Sequence, residues 1–418
     1  MKKILSLFIS ILLALLTLAA CSQHGPESES SASESEPPQP VTLQICVDLP
    51  FTYSQTISDF FQAFPGVGSD FEILIETIPD EGTERENALK RIRTEILAGK
   101  GPDIFLCTSD LPYYHHDPLF PLPRQTMENN IFLPLDEYIE QAQYLEWDKL
   151  LPQVMEAGRN DAGQLLLPVT YNMQMFLLEK TGPSLAFEYP AAWEALAESG
   201  DTDAQMVAGS TAFFNILGEF SDYEKDTLTL TEDELFYYSQ RHVMSLKACQ
   251  ESSSNMTGTH LQDGRFTIPT ETGSQAVDLR TEGSDFWILA GCNLDGGITA
   301  NIVHFAGINS NTAHPNQAFQ VLDYLLSERG QTSSLLFEQY LPVHMNLYSE
   351  DHARHGNYMN QWNFQQFTKL REEINVAKFF TPLDKAVNDA YSVISDEDEL
   401  RDLVHKQYVL MQMLLAES

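Results

Sequence analysis

Two aspartates are placed to do chemistry: Asp48, at the end of the apolar run VTLQICVD over 41–48, and Asp110, just past the run IFLCT over 104–108. Two carboxylates flanking a bond can serve as general acid and base, and a carboxylate facing a crevice can pair the hydroxyls of a bound polyol. Aromatic residues lie close by in sequence: Phe51 and Tyr53 follow the first run, Tyr113 follows the second, and Tyr171 stands beside Asn172. Trp287 and Trp362 come later. Flat apolar faces next to carboxylates and amides are what a pyranose ring needs, so these nine residues are the candidate ligand contacts.

Turnover has less support. There is no G-x-S-x-G and no H-E-x-x-H, and GKGP over 99–102 lacks the continuation of a phosphate loop, so no catalytic residue is assigned. His115 and His116 with Asp117, and His352 with His355, are metal-ligating types. Neither spacing closes a tetrahedral site, and both stretches are polar as surface loops are, so neither a metal nor a cofactor is expected.

The segments that carry these residues alternate in period. Strands are expected at 41–48, 71–77 and 104–108, with helices at 56–64 and 84–98 between them. In the second helix Thr83 and Glu86 have capping-box spacing, and Ala88, Leu89, Ile92 and Ile96 share one face. Gly99 fits the left-handed position after the helix, and Pro102 blocks its continuation. Right-handed crossovers make such strands parallel, and open parallel sheets bind ligands beyond the carboxyl ends of their strands, where Asp48 and Asp110 fall. Further on, Pro315 starts a helix with an Ala318, Leu322, Leu325, Leu326 stripe ending at Arg329–Gly330. Thr381–Pro382 opens another, and Ser395 caps a last helix with Leu400, Val404, Tyr408, Met411 and Leu415 on one stripe.

The string EILAGKGPDIF over 95–105 resembles the signature of extracellular solute-binding proteins of sugar-importing ABC transporters. FLPLDEY over 132–138, GQLLLP over 163–168, VHFAGINSNTAHPNQA over 303–318 and LPVH over 341–344 resemble successive segments of the same family, of the maltose-binding type. The resemblance implies an α/β, two-lobed periplasmic-binding-protein-like fold of type II, each lobe a mainly parallel sheet flanked by helices. Lobe 1 would hold 41–170 and 306–343, and lobe 2 would hold 171–305 and 344–418, with crossings near Thr170, Ala306 and Pro342. It also implies capture of a small solute, a carbohydrate above all, for ABC permease subunits. Asp110 falls where that type carries a sugar-binding aspartate. Asn172 stands in place of its lobe-crossing glutamate and Cys107 in place of a stacking Trp, which speaks against maltodextrin itself. The stretch 278–299 reads as an insertion or rerouted loop. Two alternatives stay open: a ligand sensor or orphan receptor without a permease, and a surface glycoside hydrolase using Asp48 and Asp110.

The N-terminus agrees independently. Lys2 and Lys3 precede an apolar run over 4–16, and LAAC over 18–21 resembles the bacterial lipobox. Residues 1–20 then form a lipoprotein signal peptide, and Cys21 is the acylated first residue of the mature chain, which acyl groups hold to the outer face of a bacterial membrane. A Gram-positive cell surface is favoured over a periplasm. Residues 21–40, rich in Ser, Glu and Pro, form a disordered linker spanning on the order of 25 Å.

The remaining body of about 378 residues is long enough for two cores. The formal charge is −36 for the whole chain and −38 for the chain after residue 20, because residues 1–20 hold Lys2 and Lys3 and no acid. So acidic a body repels phosphate backbones and anionic headgroups, which excludes nucleic acid and leaves the lipid as sole membrane contact; a monomer is expected. Cys46, Cys107, Cys249 and Cys292 show no C-x-x-C spacing and read as buried thiols, with Cys46 and Cys107 the pair to check for a bridge.

Overall fold

The three N-terminal apolar runs become parallel neighbours. In the computed structural model, which describes residues 40–49, 54–110, 117–180, 182–255, 262–264, 286–332, 340–348, 361–388 and 396–417, they form β1 (Val41–Asp48), β2 (Phe71–Thr77) and β3 (Ile104–Thr108). β1 is central: its Ile45 lies opposite Ile75 on one side and Ile104 on the other. All five residues of β3 are buried, which is why this strand shows no polar alternation.

Helices Ser54–Gln62 and Gly82–Leu97 make the crossovers. The second starts a residue ahead of Thr83, with Glu81 at the N-cap position and no side-chain cap, so the capping box does not form. Its end follows the sequence. Gly99 takes φ of 69°, Gly99 N donates to Ile96 O at 2.9 Å and Lys100 N to Glu95 O at 2.9 Å, the paired bonds of a Schellman turn.

β3 is followed in the sheet by β12 (Ile298–Ile308), antiparallel to it, then β6 (Leu166–Asn172) and β13 (Leu341–Pro342). The first half of β12 pairs in parallel with β14 (Ile374–Phe379), completing a seven-stranded sheet of order β13-β6-β12-β3-β1-β2. The expected crossing points lie side by side here, since Thr170 is opposite His304 on one flank and Pro342 on the other. Beside it, β7 (Met175–Glu179) runs antiparallel between β10 (Gln262–Gly264) and β11 (Phe286–Ala290). Two short hairpins complete the strands: β4 (Arg159–Asn160) with β5 (Gly163–Gln164), and β8 (Ser221–Asp222) with β9 (Thr227–Leu228). The stretch read as an insertion therefore carries β11 and the first residues of β12.

Apolar side chains gather into two cores. The first surrounds the large sheet, with Ile45, Phe105, Phe305 and Leu322; the second gathers Trp193, Phe213, Leu235, Leu383, Val404 and Leu415. The chain passes from the first to the second at Met175–Phe176, returns between Cys292 and Ile298, and passes again at Phe379–Phe380. Helix Pro315–Leu325 buries Ala318, Leu322 and Leu325 as its pattern required, but it stops short of Arg329. Ser327 Oγ accepts from Gly330 N at 3.0 Å and opens a separate turn, Glu328–Gln331. Thr381–Pro382 does start a helix, Pro382–Asn388. In the last helix, Glu397–Glu417, Gln407 is buried with Leu400, Val404, Met411 and Leu415, while Tyr408 sits at the core's edge and donates to Leu230 O at 3.2 Å. Ser395 lies outside the described residues; Asp396 accepts from Glu399 N at 2.8 Å.

Cys46, Cys107, Cys249 and Cys292 are free thiols. Cys46 faces Phe105 and Cys107 faces Asp48, so the two are not register partners, and burial raises both pKa values well above the ordinary thiol range.

Two core histidines set an acid limit. Burial depresses His304 to about 3 and His242 to about 4, although His242 Nε2 lies 3.0 Å from Thr211 O. In the unfolded chain both titrate near 6.5, so below that pH the unfolded state binds the extra protons and stability falls as pH falls. At pH 5 the loss is about 2 kcal/mol for each. Glu219, raised to about 7 by burial, acts oppositely: it holds its proton when folded and favours the fold as pH drops, offsetting part of the loss. The urea midpoint should therefore drop between pH 7 and pH 5, and His242→Gln should flatten that slope by about one proton. A slope unchanged by the substitution would mean that His242 titrates normally.

Candidate ligand site

The carboxyl ends of β1 and β3 hold Asp48 and Asp110, and the fold treats them differently. Asp48 is 2% exposed and fully engaged. Arg85 Nη1 and Nη2 donate to its two oxygens at 2.8 and 3.3 Å, and Leu119 N donates at 2.7 Å. Arg85 also donates to Pro79 O and Asp117 O, so Asp48 fastens helix Gly82–Leu97 and the 117–119 segment to the strand end. With three bonds accepted from Arg85 and Leu119, Asp48 serves as a structural tie at the strand end.

Asp110 lies in a seam between the two cores. Its carboxylate pairs with the Lys385 ammonium, and Lys385 rides on helix Pro382–Asn388, whose Leu383 and Val387 pack in the second core. One residue before Lys385, Asp384 makes the reverse pair with Lys378 of β14 at 2.5 Å. Acid and base therefore alternate along the seam. Between them, Ser109 is wholly buried and its N–H donates to Val303 O at 2.8 Å, fixing the strand end that presents Asp110.

Tyr171 is not at a rim. It is 0% exposed, in the first core, with β13 opposite it and the Arg371 guanidinium close to its hydroxyl; burial raises its pKa, against the lowering effect of Arg371. β6 is buried on both faces through Tyr171 and reaches solvent only at its last residue, Asn172. Trp287 is half-buried against the second core on β11, with Lys180 Nζ 4.6 Å from its ring centroid. Phe51, Tyr53, Tyr113 and the side chain of Trp362 lie outside the described residues, as do Cys21, His115, His116, His352 and His355.

Lys385, Lys378 and Lys180 were missed. The sequence held a signal for the first two: Pro382 fixes where the helix starts, which puts Asp384 and Lys385 in its first turn, next to the strand end carrying Lys378. The seam offers one cation and one carboxylate within reach of each other, a donor and an acceptor for a neutral polyol.

No sequence-family profile matches the chain, and no curated protein matches it. Solved structures match over nearly the whole body. An oligogalacturonide binding protein from Yersinia enterocolitica superposes with a TM-score of 0.57 at 13% identity, covering 90% of this chain and 99% of that one. An extracellular solute-binding protein family 1 member from Alicyclobacillus acidocaldarius gives 0.55 at 13%, and a cyclic alpha-maltosyl-1,6-maltose binding protein from Arthrobacter globiformis gives 0.53 at 14%, each with the same coverage. Two designed esterases share the fold as well, so the fold by itself does not separate binding from turnover. The chain thus shares the two-lobed α/β fold of these solute-binding proteins. Among the described residues no helix is long and apolar enough to cross a membrane.

Proposed function

We propose that the chain is a lipid-anchored extracellular solute-binding protein that captures a carbohydrate and delivers it to an ABC permease. The observation that carries this reading is the fold, shared along nearly the full length of proteins whose names specify sugar ligands. The seam supports it: Asp110 and Lys385 come from elements of different cores, so a solute that engages both is held better when the lobes close than when they open. Only that difference in affinity can drive closure. The hinge of this motion would be the places where the chain passes between the cores, just beyond β6, just before β12 and at the end of β14. Asp48, held by Arg85, is not free to act with Asp110 as a hydrolytic pair, which favours binding over cleavage.

Incubation with oligosaccharides and chromatography of the mixture tests this directly. Retention of intact sugar by the protein is expected, and accumulation of shorter products would establish a hydrolase instead. Anchoring has its own test. The acyl groups on Cys21 are the membrane contact in this reading, so Cys21→Ala should move the protein from the membrane fraction to the soluble one, and continued membrane retention would refute lipidation.

A further inference from the structure

We infer that Glu146, Glu328 and His344 form a binding site for a divalent transition cation of the zinc type. One ligand atom from each of the three lies within 4.8 Å of the other two. Three separate pieces of chain supply them. Glu146 immediately precedes the 3-10 turn Trp147–Lys149, Glu328 opens the turn Glu328–Gln331, and His344 follows β13.

Two carboxylates alone would be an ordinary acidic cluster. The imidazole makes the difference: His344 is 0% exposed, and neither Nδ1 nor Nε2 has a hydrogen-bond partner. A buried ring with two unmet nitrogens is costly, and a native interior normally supplies partners. Here one nitrogen instead faces two carboxylates that repel each other. A cation between them satisfies the nitrogen's lone pair and neutralises the repulsion in one step.

The backbone that carries the imidazole is fixed. His344 N donates to Gln331 Oε1 at 3.1 Å, Gln331 Nε2 donates to Val169 O at 3.0 Å, and Leu151 N donates to Val343 O at 3.0 Å. Asn346 Nδ2 donates to Glu328 Oε2 at 3.2 Å, orienting that carboxylate as an outer-shell amide does. Ligands around zinc sit roughly 3.4 Å apart, given metal bonds of about 2.0–2.2 Å. The two glutamates have side-chain torsions enough to close that difference onto a ring that need not move. One nitrogen and two oxygens with room for water suit zinc or a neighbouring transition ion better than calcium, which prefers an all-oxygen shell. Lys149 and Arg371 also act on His344 and oppose a cation there; Lys149 is partly neutralised by Asp148 at 3.7 Å.

Equilibrium dialysis of the full chain against zinc, with the Glu146→Gln/Glu328→Gln double variant in parallel, tests the site. The histidine groups elsewhere in the chain are present in both proteins, so the comparison isolates this one. The parent should bind one more equivalent than the variant, or bind its tightest equivalent more than about tenfold better. Both glutamates sit toward solvent, and the urea midpoints in chelator should agree. His344→Gln should abolish the same equivalent, and cobalt in place of zinc should report nitrogen ligation in its visible spectrum for the parent only. Equal zinc stoichiometry and affinity in parent and double variant would overturn the assignment. So would a parent that takes up calcium at these residues but not zinc.

Discussion

Replacement of Asp384 by alanine is expected to cost roughly 3–5 kcal/mol of stability, the effect of removing one partner from a buried ion pair. Lys378 is 1% exposed; its ammonium donates to Phe214 O, Gly218 O and Asp384 Oδ1 and lies between the Phe214 and Phe220 rings. Without the carboxylate, a full charge stays in an apolar setting with two carbonyls, and the Glu219 carboxyl is the remaining acid that acts on it. Asp384 has a second task, accepting from Thr381 N at 2.9 Å and Thr381 Oγ1 at 3.0 Å, which caps helix Pro382–Asn388. Urea unfolding measures the loss. Lys378→Met added to Asp384→Ala removes the stranded charge and should recover much of the loss but not the cap. A fall below about 1 kcal/mol for the single variant would mean that the charge finds water.

Asp110→Ala is expected to weaken solute binding by about tenfold to a hundredfold, the worth of one charged hydrogen bond in a dry site. Because Asp110 also faces Lys385, the solute-free protein should lose some stability, less than Asp384→Ala costs, since Lys385 is 26% exposed and can turn to solvent. The two effects separate in thermal unfolding. The apo melting temperature should drop slightly, and the solute-induced rise should largely vanish at a concentration that saturates the parent. Lys385→Met offers the mirror test, weakening binding if the seam engages solute from both sides. Normal affinity in both variants would move the site away from the seam.

The first three strands were legible to the residue, because 41–48, 71–77 and 104–108 are apolar runs bounded by turn residues. Of their helical partners, the one expected at 56–64 spans Ser54–Gln62, two residues earlier at both ends, and the one at 84–98 was legible at its C-terminal end only. Gly99 and Pro102 fix a helix end by backbone geometry, whereas the Thr83–Glu86 spacing is one of several ways to begin one, and the chain uses another. Two of the family-like motifs prove to be a single contact: Asn309 Nδ2 donates to Lys100 O and Pro102 O, and Asp103 accepts from Gln44 N and Thr312 Oγ1. So the G-K-G-P-D string fastens β3 to the loop after β12, some two hundred residues away, and Asp103 there is structural.

The site was less legible. Asp110 was found from its place after a strand, but its cationic partner comes from 275 residues further along, a pairing that local pattern does not encode. Asp48 looked equivalent until Arg85, on the helix above, claimed it. Tyr171 lies within the fully buried run of β6, whereas Asn172 is the residue at which the strand emerges into solvent. His344 drew no notice because its two carboxylate neighbours stand 198 and 16 residues away in the sequence.

Solution scattering with and without saturating oligosaccharide tests the central claim most directly, on a panel of neutral and acidic sugars first ranked by thermal shift. The account predicts that at least one sugar raises the melting temperature and that, at saturation, the same sugar lowers the radius of gyration as the lobes close. A sugar that binds to saturation without changing the scattering curve, or a panel on which no sugar binds while another class of solute does, would contradict it.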